Sequence, residues 1–274
     1  MSARGIVNQK LYFAKVDVKA CFDSLPQQAL IQLAHKLLSA DEYSIARHTE
    51  IKPSEMEELP NCSRASRPSK KFCARAHVGG DMGGFGNVIE QGSKPRRPNT
   101  VYVDSVVQQS MKKKVCLELL TEHVECNIVK IRKKFYRQKE GIPQGSVLSS
   151  LLCNFFYGDF EKRYLTFLSN KDCLLVRLID DFLLISTKRE HAARFLEVMH
   201  AGSPTYGISI KPEKSLVNFE VEITGKAVPK LAEQTPFPYC GMFIDSRSLD
   251  ISKDSTKLKS GSMNHRSGLS MWLF

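Results

Sequence analysis

The eight cysteines form no Cys-x-x-Cys pair, so the standard zinc spacings find no match. Cys62, Cys73 and His77 could be pictured as ligands, but their spacing fits no such pattern and no zinc is expected. Cys21, Cys116, Cys153, Cys173 and Cys240 lie in apolar or periodic stretches, as reduced core thiols do. The N-terminus has no apolar run of signal-peptide type, and no apolar stretch approaches membrane-spanning length. These absences predict an intracellular, reducing compartment. No internal repeat is visible. Acidic residues are outnumbered, 29 Asp and Glu against 40 Lys and Arg, for a net charge of +11. Excess cationic charge favours polyanions, because each phosphate contact releases condensed counterions. A chain of 274 residues, 42% hydrophobic, has room for one large domain or one with a sizeable insertion.

What is present falls into three regimes. Residues 11–18 are rich in aromatic and β-branched residues and predict a buried strand. After the turn at Asp23-Ser24-Leu25-Pro26, the spacing of Leu30, Ile31, Ala34, Leu37 and Leu38 predicts a helix from Gln27 to Leu38. Residues 61–99 are rich in glycine, contain Pro68, Pro95 and Pro98, and carry Arg64, Arg67, Lys70, Lys71, Arg75, Lys94, Arg96 and Arg97. That composition predicts a flexible basic loop.

Order is expected again from Val101 to about residue 250. Val115–Val124 reads as a helix, and Asn127–Arg132 with Phe135–Gln138 as two short strands. Ser146–Leu165 reads as a helix with Leu148, Leu151, Leu152, Phe155, Phe156 and Phe160 near one face. Leu174–Ile179 and Phe182–Ser186 read as strands, and Glu190–His200 as a helix stopped by Gly202 and Pro204. Two further strands are expected, around Ile208 and around Leu216–Phe219, before a final apolar patch at Tyr239–Ile244.

Between the two central apolar strands stand Asp180 and Asp181. Asp is a good turn residue, so one reading is a polar hairpin turn. The flanks lack the Gly or Asn that make tight turns easy, which favours a turn kept for its carboxylates. Asp17 ends another apolar strand, between two valines. Three carboxylates at the ends of neighbouring strands suit two hard cations about 3.5–4 Å apart, as in polymerases.

Longer motifs narrow this. The run Val16-Asp17-Val18-Lys19-Ala20-Cys21-Phe22-Asp23-Ser24-Leu25-Pro26-Gln27 resembles the first aspartate motif of telomerase catalytic subunits. Gly141-Ile142-Pro143-Gln144-Gly145-Ser146-Val147-Leu148-Ser149-Ser150-Leu151-Leu152-Cys153, with Tyr157-Gly158-Asp159 beyond, resembles their Pro-Gln-Gly motif. Arg177-Leu178-Ile179-Asp180-Asp181-Phe182 is similar to their paired-aspartate motif, with Leu178 where most retroelement polymerases have an aromatic. Lys214–Phe219 and Phe237–Gly241 resemble the two later palm motifs, the second being the primer grip. Asp17 and Gln144 stand 127 residues apart, where telomerases carry an insertion in the fingers.

The resemblance implies an α+β palm, an antiparallel sheet with the Gln27 and Ser146 helices packed on one face, plus a fingers insertion. It divides the chain into a first palm part (1–40), the insertion (41–110), fingers and palm (111–250) and a start of thumb or irregular tail (251–274). It implies an RNA-templated DNA polymerase that extends chromosome 3′ ends. Its partners would be the telomerase RNA template, a telomeric single-stranded DNA primer, deoxynucleoside triphosphates and accessory proteins, with no membrane. The place implied is the nucleus, at telomeres. Two Mg²⁺ would be held by Asp17, Asp180 and Asp181, the more direct coordination falling to Asp17 and Asp180. Lys214 would serve the departing pyrophosphate, and Phe22 would exclude a 2′-hydroxyl. Gln144 and Gly145 would meet the incoming nucleotide or template, and Tyr239, Cys240 and Gly241 would steady the primer end.

Lys130, Arg132, Lys133 and Lys134, followed by Arg137 and Lys139 and interleaved with Ile131, Phe135 and Tyr136, read as a strand pair with one basic face for a duplex backbone. The finger motifs and RNA-binding domain that the family carries upstream are not in the chain, so the resemblance implies a partial sequence. Two competing readings are a retroelement or intron-encoded reverse transcriptase and a non-catalytic nucleic-acid-binding fragment. Leu178 and the long insertion argue against the first, and the three intact aspartates against the second.

Overall fold

A computed structural model describes residues 10–53, 68–79, 84–90 and 98–254. Cys62, much of the basic stretch 61–99 and the tail 255–274 lie outside them. The elements begin with β1 (Tyr12–Asp17), α1 (Cys21–Ser24), α2 (Gln27–Leu37), β2 (Glu42–Lys52), β3 (Ser69–Val78), α3 (Phe85–Glu90), β4 (Val101–Lys112) and α4 (Lys113–Glu125). There follow β5 (Ile128–Ile131), β6 (Lys134–Arg137), α5 (Val147–Tyr164), β7 (Cys173–Leu178), β8 (Asp181–Ser186) and α6 (Arg189–Ala201). Short strands close the series: β9 (Leu216–Val217), β10 (Glu222–Ile223), β11 (Lys226–Ala227), β12 (Phe237–Tyr239), β13 (Met242–Ile244) and β14 (Ile251–Lys253). The chain is α+β and divides into two compact units, Met1–Leu30 with Gln138–Phe274, and Ile31–Arg137.

The first unit is built on an antiparallel sheet in the order β7-β8-β1-β9. Side chains alternate across a pleated strand, so Phe13, Lys15 and Asp17 share a face with Asp181, Leu183 and Ile185. Ala14, Val16, Phe182 and Leu184 point to the other face and are fully buried. The β12–β13 hairpin packs on the first face: Phe13 and Leu183 cluster with Phe237, Tyr239 and Ile244, and the Phe13 and Phe237 rings are 5.2 Å apart.

Helices cover the other face. In α5 the Tyr157 ring lies 5.9 Å from Phe182, and α6 packs along β1 and β8 through an apolar stripe of Ala192, Phe195, Leu196 and Met199. The sequence reading puts α2 and α5 there; α5 does lie on this face, and α6, which that reading left out, runs along β1 and β8 beside it. The buried face of α5 also differs from expectation. It is Ser149, Leu152, Cys153, Phe156, Tyr157 and Phe160, at helical spacing, whereas Leu151 and Phe155 are exposed. Two interleaved apolar stripes on one helix make the inward one ambiguous from sequence.

The second unit is organised by a three-stranded antiparallel sheet, β3-β2-β4, followed by α4 and the β5–β6 hairpin. Strand β3 lies inside the stretch expected to be a loop. Its residues are almost all exposed or half-exposed, so no hydrophobic alternation marks it; nine consecutive residue pairings with β2 define it instead. Around Ile208 the expected strand reduces to two isolated bridges, Ile208 with Ser203 and Ile210 with Val18. Among the described residues no helix is long and apolar enough to cross a membrane.

Candidate active site

The register of β1 on β8 sets Asp17 directly across from Asp181. Residues so paired have Cα atoms about 4.5–5.5 Å apart. Asp180 occupies the β7–β8 turn beside them, and its carbonyl accepts a hydrogen bond from the Val18 amide at 3.2 Å. The turn is strained. Ile179, a β-branched residue, sits at φ +58°, a conformation that costs about 1–3 kcal/mol and collects at functional sites. The absence of Gly or Asn in the sequence here is therefore a real departure from an easy turn.

Charge at this end of the sheet is crowded and only partly matched. Lys214 Nζ lies 2.7 Å from Asp17 Oδ2, and Lys15 Nζ 3.8 Å from Asp181 Oδ1. Burial pushes the Asp180 carboxyl above the usual carboxylate range and the Asp181 and Asp17 charges add to this, against its own backbone amide and Lys214. Its hydrogen bond to Asp17 holds the Lys214 ammonium above its ordinary value. A hard cation would relieve the crowding, and three carboxylates are the oxygen donors it requires. The donor set therefore fits a hard divalent cation. Among the described residues the three carboxylates do not all lie within 4.8 Å of one another; Asp17 and Asp181 are each engaged by a lysine.

Tyr239 and Cys240, expected from sequence to meet the primer end, arrive at the same place. The Tyr239 hydroxyl donates to the Asp181 carbonyl at 3.1 Å, and the Cys240 thiol to Asp181 Oδ2 at 3.6 Å. Burial and the Asp181 charge push that thiol up to about 11. Cys240 and Gly241, at φ +47° and +77°, form the two-residue turn between Tyr239 and Met242. Gly241 thus serves the twisted hairpin turn; nothing lies within 4 Å of where its Cβ would stand.

A second group forms around α1. Gly141 (φ +71°) and Gly207 (φ +63°) each lie against this turn, and a Cβ on either would collide with the carbonyl of Phe22 or Ser24 respectively. The Ile142 amide donates to the Phe22 carbonyl at 2.7 Å, and Ser24 Oγ to the Gly207 carbonyl at 2.9 Å. Gln144 Nε2 is 3.2 Å from both oxygens of Asp23. Gly145 has φ +85° with open space around it. Phe22, Gln144 and Gly145 are thereby associated at the α1 turn.

Lys130, Arg132, Lys133 and Lys134 belong to the other unit, on the β5–β6 hairpin, and all are exposed. The expectation of one basic face is corrected by the register, which pairs Ile128 with Arg137 and Lys130 with Phe135. Strand alternation then puts Ile128, Lys130, Phe135 and Arg137 on one face and Val129, Ile131, Lys134 and Tyr136 on the other. Both faces mix charge with apolar side chains; Arg132 and Lys133 form the turn.

Three residues in the site receive no role in the motif reading. Lys15 is two residues before Asp17, hence on its face, a signal legible from strand periodicity. Asp23 is marked only by its place in the first motif. Arg177 binds Glu161 at 2.5 Å and Asn154 Oδ1 at 2.8 Å and lies over the Tyr157 and Phe182 rings, tying β7 to α5. Nothing in sequence identifies those partners.

Comparison with known proteins agrees with this geometry. Residues 101–244 match the model of the reverse transcriptase (RNA-dependent DNA polymerase) family. The telomerase reverse transcriptase of Oryzias latipes is 36% identical over 252 residues, 90% of this chain and 23% of that protein. That of Takifugu rubripes is 33% identical over 253 residues, with 90% and 23% covered. The chain thus spans under a quarter of the length of these relatives. Among solved structures, apo telomerase from Candida tropicalis has the same fold, with a TM-score of 0.57 at 21% identity over 92% of this chain and 34% of that one. The telomerase of Candida albicans in complex with a fragment of telomeric RNA aligns at the same TM-score over 93% of this chain and 31% of that one, at 20% identity. The resemblance to telomerase reverse transcriptases read from the motifs therefore holds along nine-tenths of the sequence, and the chain belongs to the reverse transcriptase family.

Proposed function

We propose that the chain supplies the polymerase site of a telomerase, adding telomeric repeats to chromosome 3′ ends on an RNA template. The observation that carries this reading is the pairing of Asp17 with Asp181, with Asp180 in the adjoining turn. Asp17 and Asp180, with Asp181, would hold two Mg²⁺, whose chemistry there is to acidify the primer 3′-hydroxyl and stabilise the charge of the transferring phosphoryl group.

The remaining steps belong to the chain's own side chains. Lys214 can exchange its Asp17 partner for the leaving pyrophosphate and give it a proton from Nζ. Phe22 sets its ring beneath the incoming sugar, where a 2′-hydroxyl would clash. Gln144, oriented by Asp23, meets the nucleotide or template beside Gly145. Tyr239 and Cys240, fixed to Asp181, and the turn residue Gly241 hold the primer terminus next to the carboxylates. The exposed cations Lys130, Arg132, Lys133 and Lys134 contact the phosphates of the template–primer duplex.

This reading places the protein in the nucleus at telomeres, with telomerase RNA, telomeric single-stranded DNA, deoxynucleoside triphosphates and accessory proteins as partners. The test is primer extension by the protein produced from its full reading frame with its RNA. Rewriting the RNA template should rewrite the added repeat. Products independent of the template sequence would overturn the reading.

A further inference from the structure

The second unit contains a cluster that polymerase chemistry does not use. His48 and Glu50 are two residues apart on β2 and so share a face. Cys73 on β3 is directly opposite His48 in the register. One ligand atom from each of the three, all within 4.8 Å of one another, makes a compact donor set. His48 is 1% exposed, and neither ring nitrogen has a hydrogen-bond partner among the described residues. Glu50 Oε1 is 3.7 Å from Nε2, beyond hydrogen-bond reach. The Phe85 and Tyr102 rings, each with its centroid 6.2 Å from that of His48, enclose the imidazole. Buried polar atoms without partners are rare and costly, about 1–3 kcal/mol each.

We propose that His48, Glu50 and Cys73 form a zinc site that pins β2 to β3. Imidazole, thiolate and carboxylate together are a donor set for this borderline-soft ion. With bonds of about 2.0–2.3 Å, tetrahedral ligand atoms stand about 3.3–3.8 Å apart; the His48–Glu50 pair is already at 3.7 Å, and no pair exceeds 4.8 Å. A Cys73 thiolate and the Glu50 carboxylate carry two negative charges, which balance the ion. Loading forms one Zn–S bond, breaks the S–H bond and releases that proton to solvent. No fourth His, Cys, Asp or Glu joins the cluster among the described residues, so water completes the tetrahedron. The site escapes sequence reading because its ligands lie on two strands that only the sheet register brings together.

Spectroscopy on the full chain tests the assignment. The chain is stripped with chelator, kept in excess Mg²⁺ to occupy the aspartates, and titrated with Co²⁺, then Zn²⁺. The expected result is a near-ultraviolet thiolate-to-cobalt band that saturates at one equivalent and is erased by one equivalent of Zn²⁺. Cys73→Ser should abolish the band and His48→Gln should weaken binding at least about tenfold, while Cys126→Ser, at an exposed thiol, leaves both unchanged. Circular dichroism of each variant reports folding, and the half-exposed Cys73 position keeps the test usable if His48→Gln does not fold. Absence of the band in the unaltered chain, or its survival in a folded Cys73→Ser variant, would overturn the zinc site.

Discussion

Gln144 and Asp23 are 121 residues apart in sequence, yet the Gln144 amide nitrogen lies 3.2 Å from both carboxylate oxygens of Asp23. The pair joins the Pro-Gln-Gly turn to the α1 turn that carries Phe22. Removing the acceptor in Asp23→Ala frees the Gln144 side chain without opening the core. At a net worth of about 0.5–1.5 kcal/mol for one such bond, KM for deoxynucleotides should rise about 2- to 10-fold. The thermal midpoint should stay within about a degree. Steady-state kinetics beside a melt checks this; an unchanged KM would remove Gln144 from nucleotide positioning.

Phe22→Ala should behave differently. Only a steric barrier is lost, so deoxynucleotide extension continues and ribonucleotides enter. The ratio of kcat/KM for the two sugars, measured with one template, should shift toward ribonucleotides by at least tenfold. A ratio that stays put would return Phe22 to a packing role.

The glycines separate conformational need from mere smallness. Gly141→Ala places a Cβ against the Phe22 carbonyl at φ +71°, and the incompatible backbone should cost more than about 1 kcal/mol. Gly158 lies within α5, with nothing within 4 Å of its Cβ position. Gly158→Ala should therefore gain about 0.5–1 kcal/mol from helix propensity. Paired melts should move in opposite directions; equal shifts would contradict the account of the α1 clamp.

Much of this site is readable before folding. The carboxylates stand at the ends of apolar runs, and those runs are β1, β7 and β8, though the pairing of Asp17 with Asp181 appears only in the sheet. The α1 clamp is less accessible, since Gly141 and Gly207 reveal their purpose only once Phe22 and Ser24 are beside them. The β3-β2-β4 sheet is hidden for another reason. Its outer strand β3 has almost no buried residue to leave a pattern, and glycines and prolines around it suggest a loop. The hairpin at 128–137 shows the opposite failure: both strands are expected, but a single basic face is not compatible with their alternation.

That hairpin should nevertheless bind phosphates. Charge reversal at Lys133 and Lys134 should weaken RNA–DNA duplex binding equally for all sequences. It should also flatten the salt dependence, by about 0.9 in logarithmic slope for each phosphate that the hairpin ceases to neutralise. Fluorescence anisotropy between low and physiological salt reads both quantities. An unaltered slope would exclude the hairpin from the duplex interface.

The central claim is that Asp17 and Asp180 serve chemistry rather than folding. Each would lose a metal ligand on replacement by alanine, removing stabilisation present in the transition state. Neither loss should unfold the sheet, because the Asp180 carboxyl is already disfavoured as an anion by burial and by its acidic neighbours. The decisive measurement is telomeric primer extension in Mg²⁺ by Asp17→Ala and Asp180→Ala, each assembled with its RNA and melted in parallel. Extension should fall by about a hundred- to a thousandfold, on the scale of losing one electrostatic stabiliser of the transition state, while the melting temperature holds or rises. Extension that persists in both variants would contradict the account, as would activity that disappears only together with the fold.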